Sequence, residues 1–289
     1  MPAAAIPPEL EADAFRGSAA VRAGLLTNRQ LDGPSWRRLF RDVYVPAGLP
    51  VTHELRARAA TLLLPDAVVT GRSAAVLWGV DVAGTDDEVE LTLPPGANPR
   101  RVRGLTVRRA VLPRAQLWSR RSVRVTTVEA TALRLAALLP GDDAVVAVDQ
   151  LLGSRVIDLE PVRRLASAAS GPGSARARTV LALADALAES PQETRLRLLI
   201  ARSPLPQPVA QFRVRAGDHA IARVDFAWPD RQVAVEYDGL WHAEPGQFAK
   251  DRHRLNALQA AGWRVVFVTA ADLHRPAELL GRIAAALVR

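Results

Sequence analysis

The sequence predicts a multidomain protein of mixed α/β class with an α+β arrangement of its parts, and three observations lead there. At 289 residues, with 49% hydrophobic and 24% charged residues, the chain is long enough for two or three domains and apolar enough to give each a core. Apolar residues recur with helical period in some stretches and alternate as in strands in others, and the two patterns are interleaved along the chain. The run Gly171-Pro172-Gly173-Ser174, followed by Ala175-Arg176-Ala177-Arg178, breaks both patterns and reads as a connector. The expected domains are 1–50, 51–185 and 186–289.

In the first, Ser18 caps a short helix at Ala19 to Ala23, Thr27 caps Asn28 to Leu31, and Gly33-Pro34 precedes a third helix carrying Trp36, Arg37, Arg38, Leu39 and Phe40. A strand follows at Asp42 to Pro46. Three short helices and a strand match a winged helix-turn-helix, whose later helix enters the major groove, so Arg37 and Arg38 are candidate DNA contacts; a purely structural helical subdomain fits the same pattern. The second domain reads as helices at 53–64, 73–78, 128–139, 143–152 and 160–170, with strands at 89–93 and near 102–111, and carries no visible catalytic motif. After a helix at 179–188, the third reads as a helix from Ser190-Pro191, strands at 207–215, 222–228 and 232–238, a helix at 245–261, a strand at 263–268 and a helix at 276–287. The nearly continuous apolar run Arg264 to Val268 is expected at the centre of a sheet.

The net charge is +8, and Lys250 is the single lysine among 38 basic residues. From Glu90 to Glu129 there is no acid between, while Arg100, Arg101, Arg103, Arg108, Arg109, Arg114, Arg120, Arg121 and Arg124 alternate with apolar residues. Such a face suits a phosphate backbone, with Arg101 and Arg103 among its candidates, and equally suits a solvated surface neutralised by acids from elsewhere in the fold. The absence of cysteine excludes disulfides, thiolate metal sites and cysteine catalysis. No apolar run reaches membrane-spanning length and the start lacks a secretory signal, so a cytoplasmic protein with no membrane partner is expected.

The chemistry concentrates in Arg223-Val224-Asp225-Phe226-Ala227-Trp228, a turn at Pro229-Asp230, and Gln232 to His242. Alternation sets Val224, Phe226 and Trp228 on one face with Asp225 on the other, and a loop centred on Asp230 and Arg231 puts Asp225 opposite Glu236. Facing carboxylates destabilise a ladder and raise one another's pKa, and a hard divalent cation relieves both effects. Asp225 and Glu236 are therefore the candidate metal ligands; a buried ion pair with Arg223 or Arg213 is the other way to satisfy them. Glu193, three residues after Ser190, is explained as the far end of a capping box, but it shares a face with Leu196 and Ile200 and so can also reach the sheet.

Taken together, Ser-Pro-Gln-Glu-Thr at 190–194, Arg-Val-Asp at 223–225, Val-Glu-Tyr-Asp-Gly at 235–239, His242, Asp251, Arg254 and Gly262-Trp263 resemble the very-short-patch-repair-like endonuclease domain of the PD-(D/E)XK superfamily, in the group known as domain of unknown function 559. Gly24-Leu25-Leu26-Thr27, Val43-Tyr44 and Ser73-Ala74-Ala75 resemble, more weakly, the amino-terminal region of AbiEi-type antitoxins. The first resemblance implies a restriction-endonuclease-like αβββαβα core and a Mg²⁺-dependent DNA endonuclease, with Mn²⁺ as a substitute. It implies Asp225 and Glu236 as ligands, Glu193 orienting a water, Asp238 as a further acid, His242 as ligand or proton carrier, and Lys250 and Arg254 on phosphate. The superfamily's lysine two positions after the third-strand acid is Asp238 here, which leaves the water-activating base unassigned. The second resemblance implies the alternative, a non-catalytic DNA-binding transcriptional regulator of antitoxin type. DNA is the expected partner, with a second copy of the chain and a toxin or defence-system protein as further partners.

Overall fold

The computed structural model describes residues 6–97, 101–216, 219–238 and 247–288, with no side chain described at Ala216 or from Gln247 to Asp251. After a 3₁₀ turn come β1 (Phe15–Arg16), α1 (Gly17–Arg22), α2 (Asn28–Leu31), β2 (Trp36–Phe40) and β3 (Val43–Pro46), and the three strands pair in the order β1-β3-β2. Thr27 heads α2 in a reciprocal capping box with Gln30, as its sequence spacing requires. The helix expected at Trp36 to Phe40 is instead a strand. Phe40 pairs with Val43 across Arg41-Asp42, and Asp42 takes the left-handed conformation at φ 61° that so tight a reversal needs.

The chain continues through α3 (His53–Leu63), β4 (Val68–Val69), α4 (Gly71–Leu77), β5 (Val89–Leu93), β6 (Leu105–Arg109), β7 (Leu117–Arg120), β8 (Val123–Thr126), α5 (Val128–Leu138), α6 (Gly141–Gly153), α7 (Leu159–Ala168) and α8 (Ser174–Leu183). Strands β4 to β8 form one mixed sheet, ordered β6-β5-β4-β8-β7. Three of them, β4, β7 and β8, are too short for their alternation to register in the sequence. The run read as a connector after Gly173 is the start of α8, which begins at Ser174, five residues before the expected Thr179, because Ala and Arg are good helix formers once Gly171 and Gly173 have turned the chain at positive φ.

The remaining elements are α9 (Pro191–Ala201), β9 (Val209–Ala216), β10 (His219–Trp228), β11 (Val233–Tyr237), α10 (Gln247–Ala260), β12 (Arg264–Val268), a short α11 (Ala270–Leu273) and α12 (Pro276–Val288). Their sheet runs β12-β11-β10-β9, with β12 parallel to β11 and the other pairs antiparallel. Strand β12 is thus an edge strand, not the central one expected. Its apolar run is explained by Val268 joining the core with α9 and α12 and Val265 packing on the opposite side, while Phe267 stays 38% exposed.

Two compact units result, one of residues 1–139 and 154–183, the other of 140–153 and 184–289. In the second, Leu196 and Ile200 of α9 pack with Phe226, Trp228, Val233, Val235 and Val268 of the sheet and with Leu279, Ile283 and Leu287 of α12. Leu258 of α10 and Trp263 cover the other face over Val214, Val224, Ala227 and Ala234. Each such Val, Leu, Ile or Phe side chain contributes about 1.5–3 kcal/mol by leaving water. Helix α6 is bound into this unit by Asp149, which is fully buried and accepts from Asp185 N at 2.8 Å, Thr194 Oγ1 at 2.9 Å and Arg197 Nη2 at 2.7 Å. Among the described residues, no helix is long and apolar enough to cross a membrane.

Candidate carboxylate site of the C-terminal sheet

Strands β10 and β11 are joined by Pro229 to Gln232, a 3₁₀ turn closed by Gln232 in the left-handed region at φ 51°. This fixes the register at Trp228 with Val233, Ala227 with Ala234 and Phe226 with Val235, and one further step sets Asp225 across from Glu236. At that step the ladder changes character, because Tyr237 N donates to the Asp225 carboxylate, Oδ2, at 2.8 Å.

The strict alternation expected around Asp225 does not hold. Val224 and Ala227 pack on the α10 side, whereas Phe226 and Trp228 pack on the α9 side, so the strand shifts its facing at Asp225. The cause lies on β9. Gln211, between the residues paired with Val224 and Phe226, has φ 50°, a left-handed residue inside a strand that redirects side chains while the register stays unshifted.

Glu193 arrives from α9. Its backbone N–H donates to Ser190 Oγ at 3.2 Å, the expected cap, but its carboxylate turns to the sheet, where Oε2 accepts from Glu189 N at 2.9 Å and Gln211 Nε2 at 3.1 Å. Glu193, Arg197, Gln211 and Asp225 line one small cavity, and Gln211 Oε1 is buried there without a hydrogen-bond partner. Burial pushes the Glu193 carboxyl above its ordinary value, and the charge of Asp225 adds to this against the Glu189 N–H. Burial likewise pushes Asp225 up, with Glu189 adding and the Tyr237 N–H opposing.

Glu236 is 7% exposed and receives a two-pronged bond from α10, Arg254 Nη1 to Oε1 at 2.9 Å and Nη2 to Oε2 at 2.6 Å. The ion pair anticipated from Arg223 or Arg213 is supplied by Arg254 instead; Arg223 pairs with Glu189 and lies opposite Arg213 in the ladder. Asp238 lies just beyond β11, exposed, with its N–H on Val268 O. His242 lies outside the described residues, and so does the side chain of Lys250. Arg37 and Arg38 stand exposed on β2, with Arg37 Nη2 on Ala47 O, and Arg101 and Arg103 stand exposed before β6.

By donor type Asp225, Glu236 and the unpartnered amide oxygen of Gln211 fit a hard cation, all being oxygens, although only Asp225 and Gln211 line the same cavity. They fit on one condition, that Arg254 releases Glu236. Among the described residues, no group of three or more His, Cys, Asp or Glu side chains stands ready to hold a metal ion. Sequence reasoning missed Gln211 and Arg197. Nothing in Val-Ala-Gln-Phe-Arg marks a strand whose middle residue has left the β region.

No family model matches the sequence. Two proteins of Mycobacterium tuberculosis do, the uncharacterized protein MT2308 of strain CDC 1551 and the uncharacterized protein Rv2248 of strain H37Rv, each 36% identical over 222 residues that span 75% of this chain and 80% of theirs. The chain belongs to their family. Family membership at this coverage reaches across both compact units and carries no assigned activity with it. Among solved structures, the RV2827C protein of the same organism aligns over 71% of this chain and 84% of its own at 18% identity with a TM-score of 0.43.

Proposed function

We propose that the C-terminal unit is a divalent-metal-dependent nuclease that hydrolyses phosphodiester bonds of DNA, in a PD-(D/E)XK-like arrangement, with the amino-terminal segment binding or positioning the DNA. One observation carries the reading: Glu193 of α9 and Asp225 of β10 line one small cavity, and Glu236 stands one register step beyond the last β10–β11 pair on the neighbouring strand. A buried and a half-buried carboxylate sharing one cavity cost stability unless a cation or substrate compensates them. The order helix, three strands, helix, strand and, after the one-turn α11, a final helix from α9 to α12 supports it as well.

A bound Mg²⁺ or Mn²⁺ supplies polarisation of a phosphoryl oxygen and a water of lowered pKa. Asp225, through the oxygen not held by Tyr237 N, and Glu236 would hold the ion. Glu193 is suited to take a proton at Oε1, because its Oε2 is fixed by two donors and burial raises its affinity for protons. Arg254, once off Glu236, lies where its guanidinium can meet a phosphate.

A second reading is favoured by the Arg254 fork itself. With both Glu236 oxygens occupied by a guanidinium, the unit is self-neutralised and can serve as the scaffold of a non-catalytic DNA-binding regulator. Nicking of supercoiled plasmid in Mg²⁺ or Mn²⁺, with duplex binding measured in chelator, separates the two. The nuclease reading expects cleavage by the wild type and none by Asp225→Ala or Glu236→Ala, with both variants folded. Cleavage that persists in both variants, or duplex binding with no cleavage under any metal, would overturn it.

A further inference from the structure

A cleft of about 460 Å³ opens within the first unit, lined by Arg108 of β6 and Arg134 of α5 together with Leu112, Leu133, Leu138 and the first turn of α8. We propose that this cleft binds a small organic anion, its phosphate or carboxylate between Arg108 and Arg134 and its apolar body on Leu112, Leu133 and Leu138.

Charge is the first support. None of the residues lining the cleft is acidic. Arg108 Nε donates to Thr92 Oγ1 at 3.0 Å, a neutral partner, and Arg134 makes no ion pair among the described residues, with its Nε buried and unpartnered. The nearest acid, Glu90, is committed elsewhere: it accepts from Arg72 Nε at 3.1 Å and packs over Gly71 so closely that a Cβ there would lie 1.9 Å from its Oε2. The stretch between Glu90 and Glu129 contains no acid that could be drawn in. Burial, reinforced by the charge of Arg108 and opposed by Glu90, holds the Arg134 guanidinium down to about 10. Two neighbouring, half-buried cations with no directly paired carboxylate are a cost that a ligand would reduce.

Shape and lining are the second support. The volume falls within the range of small-molecule sites, and a mostly apolar lining with a few convergent polar groups is their usual make-up. Leu138 at the rim is 50% exposed. The comparable cleft of the other unit, about 490 Å³, gives the contrast. Its arginines are matched, Arg195 to Asp143 and Arg202 to Asp142, so it shows no such charge deficit.

The test is calorimetric titration of the full chain with phenyl phosphate, benzoate and neutral phenol. At least one of the two anions should bind the wild type saturably and phenol should not. Arg134→Met, which keeps an unbranched apolar stem and removes the guanidinium with its charge, should weaken that binding more than tenfold, and Arg108→Met should do the same from the other side of the site. Arg134→Met should also raise the melting temperature of the ligand-free protein, whereas an arginine kept for packing alone would lower it on removal. Absence of binding by both anions, phenol binding as tightly as they do, or unchanged anion affinity in the two variants would each overturn the proposal.

Discussion

Removing Arg254 tests how the Asp225 and Glu236 pair is balanced in the ligand-free protein. Its fork meets both Glu236 oxygens, at 2.9 and 2.6 Å, where the Glu236 side chain is 9% and the Arg254 side chain 33% exposed. Breaking a buried ion pair from one side costs about 3–5 kcal/mol, since the remaining charge loses its compensation in a medium that solvates it poorly. Partial exposure of Arg254 brings water to one end of this pair, which lowers the expectation for Arg254→Met to about 2–3 kcal/mol. With a urea slope on the order of 1–3 kcal/mol per molar, the unfolding midpoint of this unit should fall by about 1 M. Trp228 and Trp263 sit in its two cores, so the change in tryptophan fluorescence that Trp228→Phe and Trp263→Phe abolish reports the transition. The same variant frees Glu236 to coordinate, so Mn²⁺ should stabilise Arg254→Met more than it stabilises the wild type. A loss below about 0.5 kcal/mol would refute the energetic argument, and equal stabilisation by Mn²⁺ would refute the competition between guanidinium and metal.

Because burial raises the Glu193 and Asp225 carboxyls, the folded state binds their protons more tightly than the unfolded chain does, so the contribution of these two groups to stability is most favourable below their ordinary values and is lost as pH rises through the raised ones. Asp225→Asn should therefore be more stable than the wild type near pH 7 and show no advantage at about pH 4, as read by urea midpoints at the two conditions. Asp149→Ala removes the acceptor shared by Asp185 N, Thr194 Oγ1 and Arg197 Nη2, and should cost about 3–5 kcal/mol in the same assay.

What could be read from the residues depended on how local their cause was. The β10–β11 register was legible because Pro229 to Gln232 fixes a four-residue reversal and the flanking apolar residues admit one alignment. Ser190 as the cap of Glu193 N was legible for the same reason, since the two lie three residues apart, whereas the carboxylate half of the expected capping box goes to Glu189 N instead. The second engagement of that carboxylate, with Gln211, was not legible, because it depends on a left-handed residue 18 positions further on. Arg254 against Glu236 is likewise a contact across 18 positions, chosen by the packing of Leu258 and Trp263, which no local pattern encodes. Trp36 to Phe40 misled because Arg-Arg-Leu-Phe suits either period, and pairing with β3 decided it.

Helix α6 has a consequence for how such a chain can be inherited. The backbone enters the second unit at Pro140, leaves it at Ser154 and returns at Ala184, so the segment that completes the second unit is embedded in the coding sequence of the first. A recombination that joined residues 184–289 to a new upstream partner would deliver α9 with Thr194 and Arg197 but without Asp149, their common acceptor. The C-terminal unit is therefore not a cassette that can be moved by a single crossover. Lineages carrying it should exchange the two units together, or carry a surrogate for α6 in whatever precedes residue 184.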